Sequence, residues 1–406
     1  MSNPELVAGL SESLRGNLRP LLICFSKYWG GLEQTALSDI ADLGSCGIGA
    51  RVLCLEGTAF HQGALRISAA HPAIEILPLD GRPRELFDLG FRKFLLGQVE
   101  DGINLIHTHH TSLLGSISPW LWSRPRVALL ASRYLMNGHD KQDLLHRMIY
   151  GRVDSLIVTS RALKQNVVES HPIRDRRVRV VHPGLDFSRF DPARVMAAPR
   201  RAAWGADEQT VVIGTVGRFH PEKGQEIFIK AAAGLLKDRL SEGESGPRLK
   251  FVLVGEESGG GEAPVLDELR EMVRQFRIGE HVIFEGYDER VAETMLGFDL
   301  FVMPARRESL GLVALEAMAM ECPVILSDTG SAREVVGSQQ EFGLTFRSGD
   351  AFDLQRRLRT LVTDRELREA MGGRARQHVV TQYDRSLRLP GLLEIYERCF
   401  RVRQAL

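Results

Sequence analysis

The feature that most constrains the fold is an alternation of short β-forming runs with helix-length segments along most of the 406-residue chain. Between the first two runs, apolar residues repeat at intervals of three and four from Leu32 to Leu43, which is the spacing of one helix face. Short strands joined by helical crossovers predict parallel sheets that are covered on both faces. The strand-like runs are 21–25, 51–55, 74–77, 103–107, 127–130, 155–158, 178–181, 211–216, 251–254, 282–284, 300–303 and 324–326.

The alternation is interrupted once, near the middle of the chain. It stops at residues 182–186, His-Pro-Gly-Leu-Asp, and resumes with the run at 211–216. The intervening stretch is charged, contains prolines and lacks periodicity, as is typical of a linker. The sequence therefore predicts two doubly wound α/β domains, residues 1–184 and 201–384, joined by a linker over 185–200. Ligands of such sheets bind at the carboxyl ends of the strands, so a cleft between two facing domains is the expected site.

The charge balance and the cysteines narrow the range of functions. Lys plus Arg and Asp plus Glu are equal, at 52 each, so net charge gives no reason to expect nucleic-acid binding. The five cysteines are odd in number and contain no Cys-x-x-Cys pair. This pattern indicates buried apolar residues in a reducing compartment rather than a redox or metal centre.

The N-terminus and the longest uncharged stretch bear on the cellular compartment. The N-terminus lacks the basic and apolar regions of a signal peptide. Residues 102–123 carry no charge, but they include three histidines and Asn104, whose polar groups have no partners in lipid. We therefore expect a cytoplasmic protein, with peripheral contact at the cytoplasmic face of the membrane left open.

A first candidate for ligand binding follows the run at 211–216. Arg218 and Lys223 lie five residues apart on either side of a turn that opens a helix. Two fixed cations beside a helix N-terminus suit a diphosphate. Alone, such a pair more often consists of two surface cations, so the assignment depends on the motifs that follow.

The second candidate contains Glu308 and Glu316, which are separated by seven residues. A helix that starts near Gly311 places Glu308 in the preceding loop and Glu316 in the second turn. The free amides of Leu312 and Val313 then point toward a bound phosphate. Glu316 lies in an otherwise apolar segment and needs a polar partner, which is either a ligand hydroxyl or a buried structural hydrogen bond.

A third candidate lies at the end of the run at 282–284. The sequence Glu285-Gly286-Tyr287 permits close approach of the backbone to a flat ring, with Tyr287 beside it. A turn glycine followed by a half-buried tyrosine is the more ordinary interpretation of this motif.

In order and spacing, these motifs together resemble the retaining GT-B glycosyltransferases of family 4. The combination is specific although each motif alone is common, and the resemblance covers almost the whole chain. It implies an α/β protein of the GT-B class, with two doubly wound Rossmann-like domains facing a central cleft. The matching elements are Gly217-Arg218, Lys223-Gly224, Val254-Gly255, the Glu285-Gly286 strand end, the Glu308 and Glu316 pair, and the interdomain segment 182–186.

The resemblance implies roles for residues of the second domain, which binds a nucleotide-sugar donor. Arg218 and Lys223 hold the diphosphate, Glu308 bonds hydroxyls of the transferred sugar, and Glu316 binds the ribose. Backbone amides at the start of the helix contact phosphate. The implied donor-binding set includes Gly30, Gly31, Arg218, Lys223, Tyr287, Glu308, Leu310, Gly311, Leu312, Val313 and Glu316. The implied catalytic set is Glu308, His109, Arg218 and Lys223.

In the first domain, which the resemblance makes the acceptor-binding domain, Gly30-Gly31 forms a loop that closes on the diphosphate. His109 resembles the histidine beside the reacting sugar, and His107 is the rival, because residues two apart at a strand end point to the same face. Trp29, His107 and Arg133 are candidate acceptor contacts. Arg133 lies where related proteins often have a histidine. Two interpretations stay open for it: a contact with an anionic acceptor, or a surface cation without a ligand.

The implied reaction retains the anomeric configuration, because the acceptor attacks on the face from which the diphosphate leaves. The sequence contains no Asp-x-Asp pair and no His/Cys cluster with metal spacing, so we expect neither a metal nor a cofactor. In the family, the last helix returns to the first domain, and residues 385–406 are expected to do so here. The expected acceptor is a glycan, a glycolipid or a lipopolysaccharide precursor of cell-envelope polysaccharide synthesis.

Three alternatives stay open at this stage. A nucleotide-sugar epimerase and a synthase that accepts a sugar phosphate share the GT-B fold, and an acceptor screen separates them because an epimerase needs no acceptor. A non-catalytic module that binds nucleotide sugar is the third, and the intact pair of Glu308 and Glu316 argues against it.

Overall fold

The computed structural model describes residues 8, 9, 12, 14–84, 86, 88–136, 138–243, 246–257 and 265–406. Contacts divide the chain into two compact units, residues 1–184 with 385–406 and residues 185–384. Each unit contains a parallel sheet whose strands are connected through helices. The predicted fold class, two doubly wound α/β domains, is therefore confirmed.

The first unit is built, within the described residues, on a seven-stranded sheet in the order β3-β2-β1-β4-β5-β6-β7. Strand β1 is buried along its whole length, because helices cover both faces of a parallel sheet. The order reverses between β1 and β4, which creates a crevice at their carboxyl ends. The elements are β1 (Pro20–Cys24), α1 (Gly31–Ser45), β2 (Ala50–Leu55), α2 (Ala59–Ala70), β3 (Ile74–Leu79), α3 (Leu89–Glu100), β4 (Leu105–Thr108), α4 (Leu114–Leu121), β5 (Ala128–Arg133), α5 (Leu144–Gly151), β6 (Ser155–Val158), α6 (Arg161–Ser170) and β7 (Val178–Val180).

The second unit has, among its described residues, a six-stranded sheet in the order β10-β9-β8-β11-β12-β13. Its switch point lies between β8 and β11, so the loops that follow these two strands converge at one edge. The elements are α7 (Ala198–Ala203), β8 (Thr210–Val216), α8 (Gln225–Glu242), β9 (Arg248–Val254), α9 (Val265–Phe276), β10 (Val282–Glu285), α10 (Val291–Gly297), β11 (Leu300–Met303), α11 (Leu312–Ala319), β12 (Val324–Ser327), α12 (Ala332–Val336), β13 (Gly343–Phe346), α13 (Ala351–Thr363) and α14 (Arg365–Gln382).

The last helix, α15 (Arg385–Gln404), packs within the first unit. Leu392, Leu393 and Tyr396 are buried in a core cluster with residues of β1, β2 and β5. Its Arg388 is also buried, and forms a two-pronged ion pair with Asp39 of α1 at 2.6 and 2.8 Å. The apolar face of the helix and this ion pair hold the end of the chain on the first sheet.

Two local features differ from the sequence-based expectation. The sequence did not predict strand β13, because its four residues, Gly-Leu-Thr-Phe, lack a run of β-branched residues. The stretch 185–200, expected to be a linker, packs on the second unit, where Leu185 and Phe190 enter the core and α7 begins at Ala198.

Among the described helices, none combines the length and apolarity needed to cross a lipid bilayer.

Candidate functional site

The loop between β8 and α8 presents Lys223 at the carboxyl edge of the second sheet. A short 3₁₀ turn, Pro221–Lys223, ends at Gly224, which has a φ of 68°. A Cβ atom on Gly224 would lie 2.1 Å from the carbonyl oxygen of Pro304, so both the backbone angle and the available space require glycine here. This close approach joins the loop after β8 to the loop after β11.

Ion pairs and backbone hydrogen bonds connect the same two loops. The amide of Arg306 donates to the carbonyl of Glu222 at 2.8 Å, and the Arg307 guanidinium donates to the Glu222 carboxylate at 2.9 Å. Arg306 also pairs with Glu226, at 2.6 Å. The loop that carries Glu308 is therefore held against the loop that carries Lys223.

Lys223 and Glu308 are in direct contact. The Lys223 Nζ atom lies 2.8 Å from Glu308 Oε2, and both side chains are partly exposed, at 31% and 20%. The other carboxylate oxygen of Glu308 accepts the amide hydrogen of Ser309 at 3.0 Å. A cation and a carboxylate are thus adjacent at the edge where ligands of such sheets bind.

Helix α11 begins beside this pair. Gly311 precedes it with a φ of 75°, and the first bond in the helix joins the amide of Ala314 to the carbonyl of Gly311 at 2.9 Å. The amides of Leu312 and Val313 come before that bond and lie at the positive end of the helix. A cavity of about 60 Å³ is lined by Lys223, Glu308 and these residues, which is space for one phosphate-sized group rather than a whole nucleotide.

A second loop supports Glu308 from behind. Gly330 has a φ of 57°, and a Cβ atom there would lie 2.1 Å from the carbonyl oxygen of Glu308. The amide and the hydroxyl of Ser331 both donate to the carbonyl of Ser309. The position of Glu308 therefore depends on a glycine that the sequence motifs did not single out.

Glu316 lies in the second turn of α11, as the sequence predicts, and is half-buried. Burial raises the pKa of this carboxyl group to about 7, and the charge of Arg189 opposes the increase. No described residue of the second unit donates a hydrogen bond to the Glu316 carboxylate. A carboxyl group in this state favours a ligand that supplies hydroxyl donors.

The other donor candidates of the second unit are placed differently from one another. Arg218 is exposed, and its carbonyl accepts a hydrogen bond from the Gln225 side chain at 2.8 Å. The side chain of Leu310 packs in the core, so only its backbone is available to a ligand. Tyr287 is 63% exposed rather than half-buried. The neighbouring Glu285 is engaged by Arg200 at 2.7 Å and by the Trp204 indole, which is a structural role.

In the first unit, Gly30-Gly31 begins helix α1. Gly30 is the N-cap in an extended conformation, and its carbonyl accepts the amide hydrogen of Gln34 at 3.1 Å. Trp29, just before it, is 44% exposed. The free amides at the start of α1 therefore lie at the carboxyl edge of the first sheet, next to an exposed aromatic residue.

His107 and His109 lie on the same face, as the sequence predicts, with ring centroids 4.4 Å apart. Both ring nitrogens of His107 are occupied, by the Tyr396 hydroxyl at 2.7 Å and the Ser132 hydroxyl at 2.8 Å. His109 Nδ1 lies 2.8 Å from the Tyr134 hydroxyl, whereas its buried Nε2 has no partner among the described residues. Burial is the main cause that lowers the pKa of each histidine well below its ordinary value.

Arg133 ends strand β5 and is half-buried, so it is not a freely exposed cation. Its Nη1 atom donates to the Thr111 hydroxyl at 3.1 Å, and its Nε is buried without a partner in the described part of the chain. Burial also lowers the pKa of the guanidinium. Such a cation is suited to an anion that enters the crevice.

Asp39, His107 and His109 bring possible metal-binding atoms within 4.8 Å of one another. Both carboxylate oxygens of Asp39, however, are bound to Arg388, and both nitrogens of His107 are hydrogen-bonded. A cation would have to displace these partners next to a buried guanidinium. The cluster is better described as a hydrogen-bond network, and neither this network nor Arg388 was recognised from the sequence, because its members are distant along the chain.

A larger groove, of about 1160 Å³, opens at the amino ends of the second sheet and is lined by Thr210, Arg248 and charged residues of α14. Several of its charges pair within the protein, as Arg201 does with Asp299 at 2.8 Å. Ligands of parallel α/β sheets bind at the opposite, carboxyl edge. We therefore place the candidate site at Lys223 and Glu308 rather than in the larger groove.

Two doubly wound parallel sheets define an α/β protein, and the second sheet carries a cation and the start of a helix at its carboxyl edge. Residues 29–189 match the family described as Glycosyltransferase Family 4, and residues 198–378 match Glycosyl transferases group 1. A D-inositol 3-phosphate glycosyltransferase of Corynebacterium jeikeium (strain K411) is 31% identical over 299 residues, covering 69% of each chain. A protein of the same name from Corynebacterium kroppenstedtii is 26% identical over 398 residues, which are 92% of this chain and 86% of the relative.

Solved structures show the same fold. A glycosyltransferase from Rickettsia africae ESF-5 has a TM-score of 0.80 at 15% identity, over 95% of this chain and 99% of that one. Anabaena HepE in complex with UDP-glucose has a TM-score of 0.73 at 19% identity, over 96% and 100%. The chain belongs to the group 1 glycosyltransferases of family 4, GT-B enzymes that transfer a sugar from a nucleotide sugar.

Proposed function

We propose that this glycosyltransferase transfers a hexosyl-type sugar from a nucleoside diphosphate sugar with retention of the anomeric configuration. The observation that carries the proposal is the 2.8 Å contact between Lys223 and Glu308 at the start of α11. A diphosphate needs a cation, and a sugar held by its hydroxyls needs an acceptor of hydrogen bonds. The two requirements meet in one pair of side chains.

Donor binding separates this pair in the proposal. The diphosphate takes the charge of Lys223, assisted by Arg218 and the amides of Leu312 and Val313. The released carboxylate of Glu308 then accepts hydrogen bonds from the transferred sugar. Before the donor binds, the ion pair keeps both side chains in place. Breaking it costs only about 0–1 kcal/mol, because ion pairs between exposed charges are weak.

The remaining groups complete the donor site. The Glu316 carboxylate accepts hydrogen bonds from the ribose hydroxyls. No described residue of the second unit supplies such donors. Tyr287 flanks the base, and Gly30-Gly31 approaches the diphosphate. His109 is preferred over His107 as the residue beside the sugar, since its Nε2 atom is without a partner in the described residues.

The proposed reaction assigns a task to each of these groups. As the bond to the diphosphate breaks, negative charge develops on the departing oxygen and positive charge on the sugar ring. Lys223, Arg218 and the helix amides stabilise the first, and Glu308 stabilises the second. The acceptor hydroxyl attacks from the leaving-group side, and its proton passes to the diphosphate. No protein nucleophile, resident metal or cofactor takes part in this proposal.

A calorimetric screen of nucleoside diphosphates and their sugars identifies the donor, and NMR of the product reports the anomeric configuration. Retention, together with loss of donor binding in Lys223→Met but not in Lys230→Met on the neighbouring helix α8, supports the proposal. An inverted product, or equal donor binding by both variants, contradicts it. Conversion of the sugar without any acceptor would instead indicate the epimerase alternative.

The acceptor class is a separate proposal. The sequence predicts a glycan or glycolipid acceptor, and a phosphorylated polyol is the alternative. Two observations favour the phosphorylated polyol. Arg133 is a half-buried cation with an unpaired Nε among the described residues, and the relatives named above are D-inositol 3-phosphate glycosyltransferases. We therefore propose an anionic, phosphorylated polyol as acceptor of this chain.

An acceptor screen tests this directly. Inositol phosphate and the unphosphorylated polyol are offered with the donor found by calorimetry, alongside glycolipid in mixed micelles. Arg133→Met is expected to raise the KM for the phosphorylated acceptor by about 10- to 100-fold, the scale of one charge-assisted hydrogen bond. Transfer to glycolipid alone, or an unchanged KM, contradicts the assignment.

A cytoplasmic location and peripheral contact with the membrane remain proposals, and cell fractionation tests them.

A further inference from the structure

Two carboxylates flank the Gly286-Tyr287 peptide of the second unit, and one guanidinium binds both of them. Arg200 Nη1 lies 2.7 Å from Glu285 Oε1, and Arg200 Nη2 lies 2.6 Å from Asp288 Oδ1. The side chains of Arg200, Glu285 and Asp288 are largely buried, with exposed fractions of 12%, 25% and 9%. We call these three residues the Arg200 clamp. Both ends of the segment that presents Tyr287 are therefore fixed to the same side chain.

Each carboxylate of the Arg200 clamp has further partners. Glu285 ends strand β10 and also accepts the indole hydrogen of Trp204, which directly follows α7. Asp288 accepts the amide hydrogen of Arg290 at 2.9 Å and a hydrogen bond from the Thr294 hydroxyl of α10. The clamp thus joins the end of β10 to the start of α10 through a side chain of α7.

Between these fixed ends, the segment is open on one side. Tyr287 is 63% exposed, and a Cβ atom on Gly286 would meet no described atom within 4 Å. An open backbone beside an exposed aromatic ring suits a flat ligand such as a base, which stacks on aromatic side chains. Because an exposed ring makes few packing contacts of its own, its position depends on the ends of the segment.

We propose that Arg200 is a positioning residue for nucleotide binding, which holds the Gly286-Tyr287 peptide where the base stacks. The inference rests on the proposed function, in which Tyr287 flanks the base. Removal of the guanidinium leaves the carboxylates of Glu285 and Asp288 close together without their shared partner, and their repulsion should release the segment. The end of the stretch that the sequence marks as a linker thereby has a task in the donor site.

A double-mutant cycle tests whether Arg200 acts through Tyr287. Calorimetric titration with UDP, ADP and GDP shows which diphosphate the wild type binds, and each variant is titrated with it. Tyr287→Ala is expected to weaken binding about 10-fold, the scale of one base–aromatic stacking contact. Arg200→Met should weaken it by a similar factor and the double variant no further, because both changes remove the same contact. Additive losses would overturn the inference.

Arg201→Met, at the next residue of α7, is the matched control. Arg201 pairs with Asp299 at 2.8 Å, and its side chain is also largely buried, at 20% exposure. It binds the carbonyl of Thr210, the first residue of β8, so it lies at the amino edge of the sheet, away from Tyr287. Its loss should lower the melting temperature and leave nucleotide affinity unchanged. An equal loss of affinity in both arginine variants would reduce the effect of Arg200 to stability alone.

Transfer kinetics separate positioning of the base from damage to the reacting centre. Arg200→Met should raise the KM for the donor about 10-fold and leave kcat near the wild-type value, because the base does not react. Arg200→Lys keeps the charge but not the planar fork that binds two carboxylates, so it should also raise the KM. This second variant gives the test a readout even if the methionine variant does not fold. A lower kcat at unchanged KM contradicts the role.

NMR of the chain labelled with nitrogen-15 tyrosine follows the segment without any nucleotide. The chain has six tyrosines, and the Tyr287 signal is assigned by its loss in Tyr287→Ala. The heteronuclear Overhauser effect of this amide should fall in Arg200→Met, where the segment is released, and stay unchanged in Arg201→Met. An unchanged Overhauser effect in Arg200→Met overturns the inference. Normal nucleotide binding by Tyr287→Ala would instead refute the base assignment of the proposed function, and the NMR comparison would still decide whether Arg200 holds the segment.

Discussion

Replacement of Glu316 by glutamine should stabilise the protein and weaken nucleotide binding at the same time. The pKa of this carboxyl group rises from 4.5 to about 7 in the folded chain because of burial. Each pKa unit corresponds to about 1.4 kcal/mol, so the ionised carboxylate costs the folded state up to about 3 kcal/mol. Glutamine has nearly the same shape and does not ionise, so it removes this cost.

The sign of the pH dependence follows from the raised pKa. The folded state binds the proton of Glu316 more tightly than the unfolded state does. The wild type therefore has its full stability from this group below pH 4.5 and loses it as the pH rises through about 7. The advantage of Glu316→Gln should be small near pH 4, grow between pH 4.5 and 7, and stay constant above.

Binding should change in the opposite direction. If Glu316 accepts the ribose hydroxyls, the variant loses a charge-assisted hydrogen bond of about 1.5–3 kcal/mol, and affinity for nucleoside diphosphate at pH 8 falls about 10- to 100-fold. Urea unfolding at pH 4 and pH 8 and calorimetric titration measure the two effects. Glu280→Gln, at an exposed position of the same unit, is the control and should show neither.

Two outcomes would refute this reasoning. Lower stability of Glu316→Gln at pH 8, with a binding loss that follows the melting temperature, would make Glu316 a structural residue. Unchanged nucleotide affinity beside the expected gain in stability would show that the pKa argument holds but that the ribose is bound elsewhere.

The other predictions concern the sugar, the phosphates and the last helix. Glu308→Gln should lower turnover by about 100-fold or more, the scale of one preorganised electrostatic group, and leave affinity for nucleoside diphosphate almost unchanged; equal affinities in the Glu308 and Glu316 variants contradict the division of roles. Transfer should survive EDTA, and restoration of a lost activity by magnesium or manganese would show that the phosphate site is wrongly assigned. Arg388→Met leaves the buried Asp39 carboxylate without its ion-pair partner and should destabilise the protein by about 3–5 kcal/mol in urea unfolding; a loss within experimental error contradicts this.

Much of the second unit was predictable from local patterns. The strand-like runs from 211–216 to 324–326 are strands β8 to β12, and the start of α11 at Leu312 agrees with the position of Gly311. Strand periodicity and helix-start signals lie within a few neighbouring residues, so a sequence shows them directly. The order and spacing of the motifs also identified the family.

The contacts that carry the proposals join residues far apart along the chain, and only the tertiary structure brings them together. Lys223 meets Glu308 and Arg200 meets Glu285, each across 85 positions. No local pattern marks Arg200 as the partner of Asp288, since their contact depends on how α7 packs against α10. The raised pKa of Glu316 is likewise a property of its surroundings, because burial is decided by what packs around a side chain and not by its neighbours in sequence.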